Sequence, residues 1–341
     1  MSLSYDTLIR SSGSIAVSLP GGAGEAGGAG GAGEAGGAGG AGGAGGSPWP
    51  PVRNLTYGEP MLLTPRYDGP PILTIEGEPG DVLAPVVRQR LRLQAALAAL
   101  GDDDWQARSR CDGWTVQDVV AHLIGVNSFW QGSVLAGIAG APTRILAAFD
   151  PVATPPMMVG GMRSLSPAEV LEQFVASNEG YLDAITDLDD EGWGAIAESP
   201  AGHVSVRMVG AHALWDSWVH ERDILLPLGA DPAIEADEVA VCLRYAAALG
   251  PAFAISQGAG TRGAFAVDAG DPDVAFVLEI EDSVLVRDLP GLDGAPCLQG
   301  PSVELVEALS MRVPLPAAAP PEWRVLLGGL ATVFDAEVDA G

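Results

Sequence analysis

The chain has 341 residues, 48% of them hydrophobic, which is enough for two ordinary domains with sizeable cores. Its 44 acidic residues outnumber 17 basic ones, and the resulting formal net charge of −27 disfavours nucleic-acid and anionic membrane partners because like charges repel. Every basic residue is an arginine, so chemistry that needs a lysine, such as Schiff-base formation, is excluded.

Cysteine usage and hydropathy indicate the compartment. Cys111, Cys242 and Cys297 lie far apart and form no CxxC pair, so they do not suggest a disulfide framework. The first residues make a poor signal peptide, and no uninterrupted apolar run is long enough to cross a bilayer. We therefore expect a cytoplasmic protein without a membrane partner. The sequence does not indicate the oligomeric state.

The N-terminal part of the chain is compositionally biased. Residues 1–46 contain a long Gly/Ala-rich segment with nothing to bury and are predicted to form a disordered tail. A GxGxxG match beginning at Gly22 repeats monotonously with no helix behind it, so we reject a dinucleotide-binding motif. Residues 47–80 are rich in proline and predict an extended arm that packs on the following domain.

Four helical segments follow, with no convincing strand among them. The second begins at a capping box in which Thr115 precedes Asp118 by three residues, and the third begins at Ser166, just before a proline. Together they predict a four-helix bundle over residues 81–230. The predicted helices run from about Asp81 to Gly101, Thr115 to Ala136, Ser166 to Asp187 and Val204 to Leu226.

Residues 231–341 have a different pattern, in which helical segments flank alternating apolar runs. A turn at Glu281–Asp282 separates two of these runs. The pattern predicts a small α+β domain, so the fold class is α+β, a four-helix bundle followed by this domain. The predicted helices are Ala236–Leu249, Ser302–Ser310 and Pro321–Phe334, and the predicted strands are Gly263–Val267, Val274–Ile280 and Ser283–Val286.

The candidate functional residues lie on two predicted helices. His212, Asp216 and His220 are spaced four residues apart, so they form one stripe along the fourth helix. Apolar residues flank this stripe on both sides, which predicts that the stripe faces inward. On the second helix, His122 shares its face with Val119 and therefore also points inward.

Two interpretations of these inward polar residues remain open on spacing alone. A buried imidazole or carboxylate needs a partner, and a metal ion held from two facing helices would supply one. Core histidines that hydrogen-bond to a neighbouring carboxylate or backbone group are the more common case. His203 falls in a predicted loop and is assigned no role. Cys111 is expected to be a structural thiol, and the bundle tryptophans to be packing residues.

Two segments resemble the mycothiol-dependent maleylpyruvate isomerase family, whose members belong to the DinB-like metal-binding bundles. They are WQARSRCDGWTVQDVVAHL, from Trp105 to Leu123, and DSWVHERD, from Asp216 to Asp223. The resemblance spans about residues 81–229, and the chain from about Ala233 resembles the sterol-carrier-like C-terminal domain common in that family.

The resemblance implies that His122, Asp216 and His220 bind a divalent metal ion, with zinc expected. The family usually has glutamate where this chain has Asp216, and this shorter arm could let His212 compete as a ligand. The resemblance indicates no other catalytic or cofactor-binding residue.

The resemblance also implies a function. Three protein ligands leave an open coordination position, which in the family accepts the thiol of mycothiol, a small thiol of actinobacteria. The expected activity is that of a mycothiol-using isomerase or S-transferase acting on a small electrophilic substrate. Two alternatives remain open: a non-catalytic metal-binding or scaffold protein, and a metal-dependent hydrolase with Asp223 or His212 as general base.

Overall fold

A computed structural model describes residues 63–288, 295–317 and 319–333 of the chain. The predicted tail at residues 1–46 and the beginning of the predicted arm lie outside these ranges. The fold combines a helical bundle with a mixed β-sheet, as the predicted α+β class requires.

The predicted helix bundle is confirmed within the described residues. Thr115 and Ser166 cap their helices through side-chain oxygens that accept hydrogen bonds from the backbone N–H groups of Asp118 and Glu169, as the sequence predicts. The bundle consists of α1 (Leu83–Ala98), α3 (Val116–Ile138), α5 (Pro167–Thr186) and α7 (Val206–Leu225), with the short helices α2 (Asp102–Trp105), α4 (Thr154–Gly160) and α6 (Asp190–Gly194) in the connections.

The prediction that no strand interrupts these helices is wrong. An antiparallel hairpin, β2 (Ile196–Ser199) with β3 (Gly202–Ser205), leads directly into α7, and His203 lies in β3, not in a loop. Strands of four residues carry too little alternation to be recognised. Gly202 has a φ of 115°, and a Cβ on it would meet the backbone of Arg66, so this close approach requires glycine.

The C-terminal sheet differs from its prediction at both edges. Within the described residues its strands are β1 (Leu73–Ile75), β4 (Gly263–Gly270), β5 (Val274–Ile280), β6 (Val284–Arg287) and β7 (Cys297–Pro301). Their order is β1-β6-β5-β4-β7, with antiparallel pairs inside and parallel pairs at the edges.

The two edge strands come from segments whose local pattern is not strand-like. β7 contains a glycine and a proline, and β1 comes from the proline-rich arm, which therefore joins the C-terminal sheet. The described residues all fall within one compact unit. The boundary expected near residue 230 stays a prediction.

Helix α8 (Ala236–Ser256) is buried between the bundle and the sheet and extends seven residues beyond its predicted end. All three shorter helices that follow pack on it. The predicted helix Pro321–Phe334 is broken at Gly328, and at Gly329 a Cβ would collide with the backbone of Gly250 on α8. These helices are α9 (Ser302–Leu309), α10 (Pro321–Leu327) and α11 (Gly329–Val333).

Helices α3 and α8 are each long and apolar enough to cross a membrane by length and composition. The expectation that no apolar segment is long enough to cross a bilayer is therefore wrong by this criterion of length and composition. In the structure, half of the most apolar stretch of α3 and most of that of α8 are buried by protein. Core helices of soluble proteins share this composition, so the two helices are weak evidence for a membrane span.

A buried ion-pair network joins α1, α7 and α8. The guanidinium of Arg92 donates to both carboxylate oxygens of Glu221 on α7, at 2.9 and 2.7 Å, and to both of Glu238 on α8, at 3.0 and 2.8 Å. The two glutamate side chains are 1% and 0% exposed, so each depends on arginine for compensation of its charge.

Replacing Arg92 by methionine should therefore lower the free energy of unfolding by about 3 kcal/mol, since it deprives two buried carboxylates of their common partner. Urea unfolding followed by circular dichroism measures this loss. The matched control is Arg262→Met, whose partner Asp282 is 99% exposed. That change should cost less than about 1 kcal/mol. Equal losses in the two variants would contradict the role given to Arg92.

Candidate metal centre

The structure brings the three predicted ligands together. His122 projects from α3 and meets Asp216 and His220 on the facing side of α7. The Oδ1 atom of Asp216 lies 3.6 Å from Nε2 of His220 and 3.9 Å from Nε2 of His122, and the two imidazole rings are 5.0 Å apart. Each residue offers one ligand atom, and all three atoms lie within 4.8 Å of one another.

These three side chains are largely buried, with exposed fractions of 18% for His122, 14% for Asp216 and 11% for His220. The two contacts of Asp216 Oδ1 are longer than the 3.5 Å at which a hydrogen bond ends. Its other oxygen, Oδ2, is enclosed and has no hydrogen-bond partner among the described residues. A buried carboxylate oxygen without a hydrogen-bond donor is costly, and a cation among the three ligand atoms would stabilise this carboxylate.

Asp223 orients the imidazole of His220. Its Oδ2 lies 3.0 Å from Nδ1 of His220, so Nδ1 carries the proton and donates it to the carboxylate. The lone pair of Nε2 is then directed at Asp216 and His122 when the ring is neutral. Carboxylates that fix ligand histidines in this way are usual around protein metal sites.

Asp216, Asp223 and His220 shift one another's pKa values. Burial alone would raise the pKa values of Asp216 and Asp223. His122 and His220 lower the pKa of Asp216 by more than burial raises it, and His220 and Arg312 do the same to the pKa of Asp223. Both pKa values therefore lie below the ordinary range. Burial would also lower the pKa of His220, but Asp223, Cys111 and Asp216 raise it to about 10. Without a cation, a proton on His220 compensates the carboxylates.

A second group of possible ligands shares His220. The thiol of Cys111 lies 3.3 Å from Asp223 Oδ2 and 3.8 Å from His220 Nδ1. However, the guanidinium of Arg312 donates to Asp223 at 2.7 Å and lies 3.9 Å from the sulfur of Cys111. A fixed positive charge is already present there and would repel a metal ion. The geometry therefore favours the group formed by His122, Asp216 and His220.

His212 is not grouped with the three predicted ligands. Its Nδ1 lies 2.7 Å from the hydroxyl of Tyr245 on α8, and its ring packs among three aromatic side chains. The ring centroids lie 4.6 Å from Trp130, 5.3 Å from Trp215 and 5.2 Å from Tyr245. The structure therefore gives His212 surroundings different from those of a competing ligand.

The C-terminal region supplies residues of the site that the sequence analysis missed. Trp215 donates through Nε1 to the hydroxyl oxygen of Ser310 at 2.8 Å. The guanidinium of Arg312 donates to the backbone carbonyl oxygen of the same serine at 3.0 Å. The segment Ser310–Arg312 is thereby held against α7 beside the ligands. Since about 90 residues separate Arg312 from Asp223 along the chain, no local pattern could have indicated their contact.

The metal-free protein should lose stability as the pH rises from 6.5 towards 10. A histidine whose pKa is raised from 6.5 to about 10 stabilises the folded state fully below 6.5, and this contribution disappears as the pH passes 10. The melting temperature of chelator-treated protein, recorded from pH 6 to pH 10, measures the effect. In His220→Gln this part of the pH dependence should be absent. Parallel curves for the two proteins would contradict the assignment.

Two comparisons relate this geometry to known proteins. Residues 86–225 match the family model described as the mycothiol maleylpyruvate isomerase N-terminal domain. No curated protein matches the chain. The likeness of the C-terminal region to a sterol carrier is not tested by these matches and stays a prediction.

Two solved structures share the fold. The crystal structure of the mycothiol-dependent maleylpyruvate isomerase is 16% identical to this chain, with a TM-score of 0.51 over 70% of this chain and 90% of that one. A histidine-to-alanine mutant of that enzyme is 15% identical, with the same TM-score and coverage. The chain therefore shares the fold of the mycothiol-dependent maleylpyruvate isomerase, and its residues 86–225 match the model of the mycothiol maleylpyruvate isomerase N-terminal domain.

Proposed function

We propose that this protein is a metal-dependent enzyme that uses mycothiol to isomerise, or to form a thioether with, a small electrophilic substrate. In this proposal, His122, Asp216 and His220 hold a divalent metal ion. The observation that carries it is the convergence of two imidazole nitrogens on a buried carboxylate that lacks hydrogen bonds of its own.

The residues fit a zinc ion in number, type and spacing. Ligand atoms about 2.0–2.1 Å from a tetrahedral zinc ion lie about 3.3–3.4 Å from each other. The observed separations of 3.6 and 3.9 Å from Asp216 Oδ1 to the two Nε2 atoms need only a small contraction. The shorter arm of aspartate therefore reaches both histidines. Two imidazoles and one carboxylate are a ligand set typical of catalytic zinc.

A divalent ion with three protein ligands has a position for a thiol, and it would keep that thiol as a thiolate at neutral pH. The chain's own residues prepare this position. Asp223 holds the imidazole of His220, while Trp114 packs tilted against His122 with ring centroids 5.6 Å apart. Burial of the ligands limits the access of bulk water, which favours attack by the thiolate on an added electrophile over hydrolysis.

The contacts of Asp223 weigh against the hydrolase alternative. A general base needs a free lone pair near the attacking water. Asp223 is fully buried, and its carboxylate accepts hydrogen bonds from both His220 and Arg312. A scaffold protein would not need an unsatisfied carboxylate between two histidines. The thiol-dependent reaction is therefore the function that this geometry supports best.

We expect about one equivalent of metal in protein purified without chelator, and loss of that metal in His122→Ala, Asp216→Ala and His220→Ala. Elemental analysis of folded, gel-filtered protein measures the stoichiometry. Cys111→Ser is the matched control, since it touches Asp223 and His220 without belonging to the proposed ligand set. It should retain the metal. A wild type without metal, or loss in Cys111→Ser but not in His122→Ala, would contradict the ligand assignment.

Asp223→Asn should bind the metal about 10- to 100-fold more weakly, because the carboxylate that orients His220 is lost. Competition with a chromophoric chelator measures this affinity. The conservative variant Asp223→Glu should recover part of the loss. An unchanged affinity in Asp223→Asn would remove this residue from the site.

The reaction class can be tested with maleylpyruvate as a trial substrate. Metal-loaded protein with mycothiol should convert maleylpyruvate to its trans isomer or to a thioether adduct, both of which liquid chromatography with mass spectrometry resolves. Without mycothiol, or in His122→Ala, the rate should fall to that of buffer. Equal conversion with and without mycothiol would contradict thiol use.

A further inference from the structure

Arg90 lies at the centre of the helical bundle, and the proposed function gives it no role. It belongs to α1, and its side chain is 0% exposed. Its guanidinium donates to Oδ1 of Asn127 on α3, to Oδ1 of Asn178 on α5 at 3.5 Å and to the backbone carbonyl oxygen of Ala213 on α7 at 3.1 Å. One buried side chain therefore touches all four long helices of the bundle.

The two asparagines are oriented so that their oxygens face this guanidinium. The Nδ2 atom of Asn127 donates to the hydroxyl of Ser177 at 3.3 Å, and that of Asn178 donates to the side-chain oxygen of Gln94 at 3.1 Å. Because each amide uses its NH2 group elsewhere, its oxygen is left to accept from the cation. The surrounding side chains are thus arranged to receive a positive charge at this place.

No carboxylate among the described residues neutralises this charge by contact. The hydrogen bonds of Arg90 go to neutral oxygens, its Nε has no partner there, and its guanidinium lies 4.8 Å from the ring centroid of Tyr181. Burial lowers the pKa of Arg90, while Tyr181 and Asp216 raise it. Arginine nevertheless keeps its proton in proteins, so the bundle interior holds a fixed positive charge.

This charge lies close to the proposed metal ligands. Ala213 precedes Asp216 by three residues on α7, and Asn127 follows His122 by five residues on α3. With a rise of 1.5 Å per residue, these steps correspond to about 4.5 Å and about 7.5 Å along the two helices. The guanidinium is therefore between about one and one and a half turns from the ligands, between the same two helices.

The other charges of the interior are largely matched to each other. Asp223 accepts from Arg312, and the buried glutamates between α1, α7 and α8 accept from Arg92. A divalent ion and Arg90 together would exceed the single negative charge of Asp216. In an interior of low dielectric constant this excess is costly, and an anionic ligand on the metal would reduce it. A neutral ligand, such as water or a protonated thiol, would not.

We propose that Arg90 sets the charge preference of the metal centre, because its positive charge weakens the binding of the cation and favours an anionic ligand in the open position. The inference rests on the proposed function, in which that ligand is the thiolate of mycothiol. Arg90 is then a positioning residue that acts through its field. Removal of its charge should strengthen metal binding and weaken thiolate binding, whereas loss of a purely structural brace would weaken both.

The test compares variants of Arg90 that lose the charge with one that keeps it. Arg90→Met and Arg90→Gln are uncharged, and Arg90→Lys retains the charge but loses the planar fork of donors. In competition with a chromophoric chelator, both uncharged variants should bind zinc at least about 10-fold more tightly than the wild type. Arg90→Lys should stay within about threefold of the wild type. Circular dichroism shows which variants are folded, and glutamine keeps a donor for Asn127 in case methionine does not fold.

Thiol binding is measured on the same zinc-loaded samples by calorimetry with mycothiol at several pH values. In the uncharged variants, the pH at which thiolate binding is half complete should rise by about one unit, which corresponds to a 10-fold weaker affinity. Zinc binding that is unchanged or weaker in the uncharged variants, or altered equally in Arg90→Lys, would overturn the inference and leave Arg90 a structural brace. A wild type that binds no zinc would instead contradict the proposed function, so the two failures are distinguished.

Discussion

The hydrogen-bonded carboxylate of Asp223 connects the parts of this site. It accepts from Nδ1 of His220 on its own helix and from Arg312 in the C-terminal region. The first contact orients the imidazole of His220, and the second holds the segment Ser310–Arg312 against α7. One buried side chain therefore orients a proposed metal ligand and also binds the C-terminal region.

Helix α7 explains why these polar groups are so constrained. It is buried on nearly every side and nevertheless carries His212, Asp216, His220 and Asp223 along its length. Each of these groups needs a partner, because the interior offers no water in exchange. Three of them have protein partners: His212 pairs with Tyr245, His220 pairs with Asp223, and Asp223 also accepts from Arg312. Asp216 differs from them, because its Oδ2 has no hydrogen-bond partner among the described residues. This lack of a partner is the reason for proposing a metal ion beside it.

Local patterns predicted the parts of the fold whose interactions are local. The capping boxes at Thr115 and Ser166 close within three residues, and the four-residue spacing of His212, Asp216 and His220 follows from helix geometry. The apolar residues that flank this stripe also predicted that its side chains point into the protein. The proposed ligands were therefore accessible to sequence reasoning, with the family resemblance favouring a metal site over core packing.

The features that were missed depend on contacts between distant segments. The hairpin before α7 is stabilised by the backbone of Arg66, more than a hundred residues earlier, and strand β1 exists because β6 offers it an edge. The contact of Arg312 with Asp223 joins residues 89 positions apart. The hydrogen bond between His212 and Tyr245 likewise joins two different helices. Periodicity and spacing carry no information about such pairs.

The most direct test of the central claim is X-ray absorption at the metal edge of the loaded protein, with and without mycothiol. The account predicts a first shell of nitrogen and oxygen alone in the free protein. On addition of mycothiol it predicts one sulfur at about 2.3 Å, the usual zinc–thiolate distance. A shell that contains sulfur before mycothiol is added, or one that never gains it, would contradict the proposed site and its thiol-dependent function.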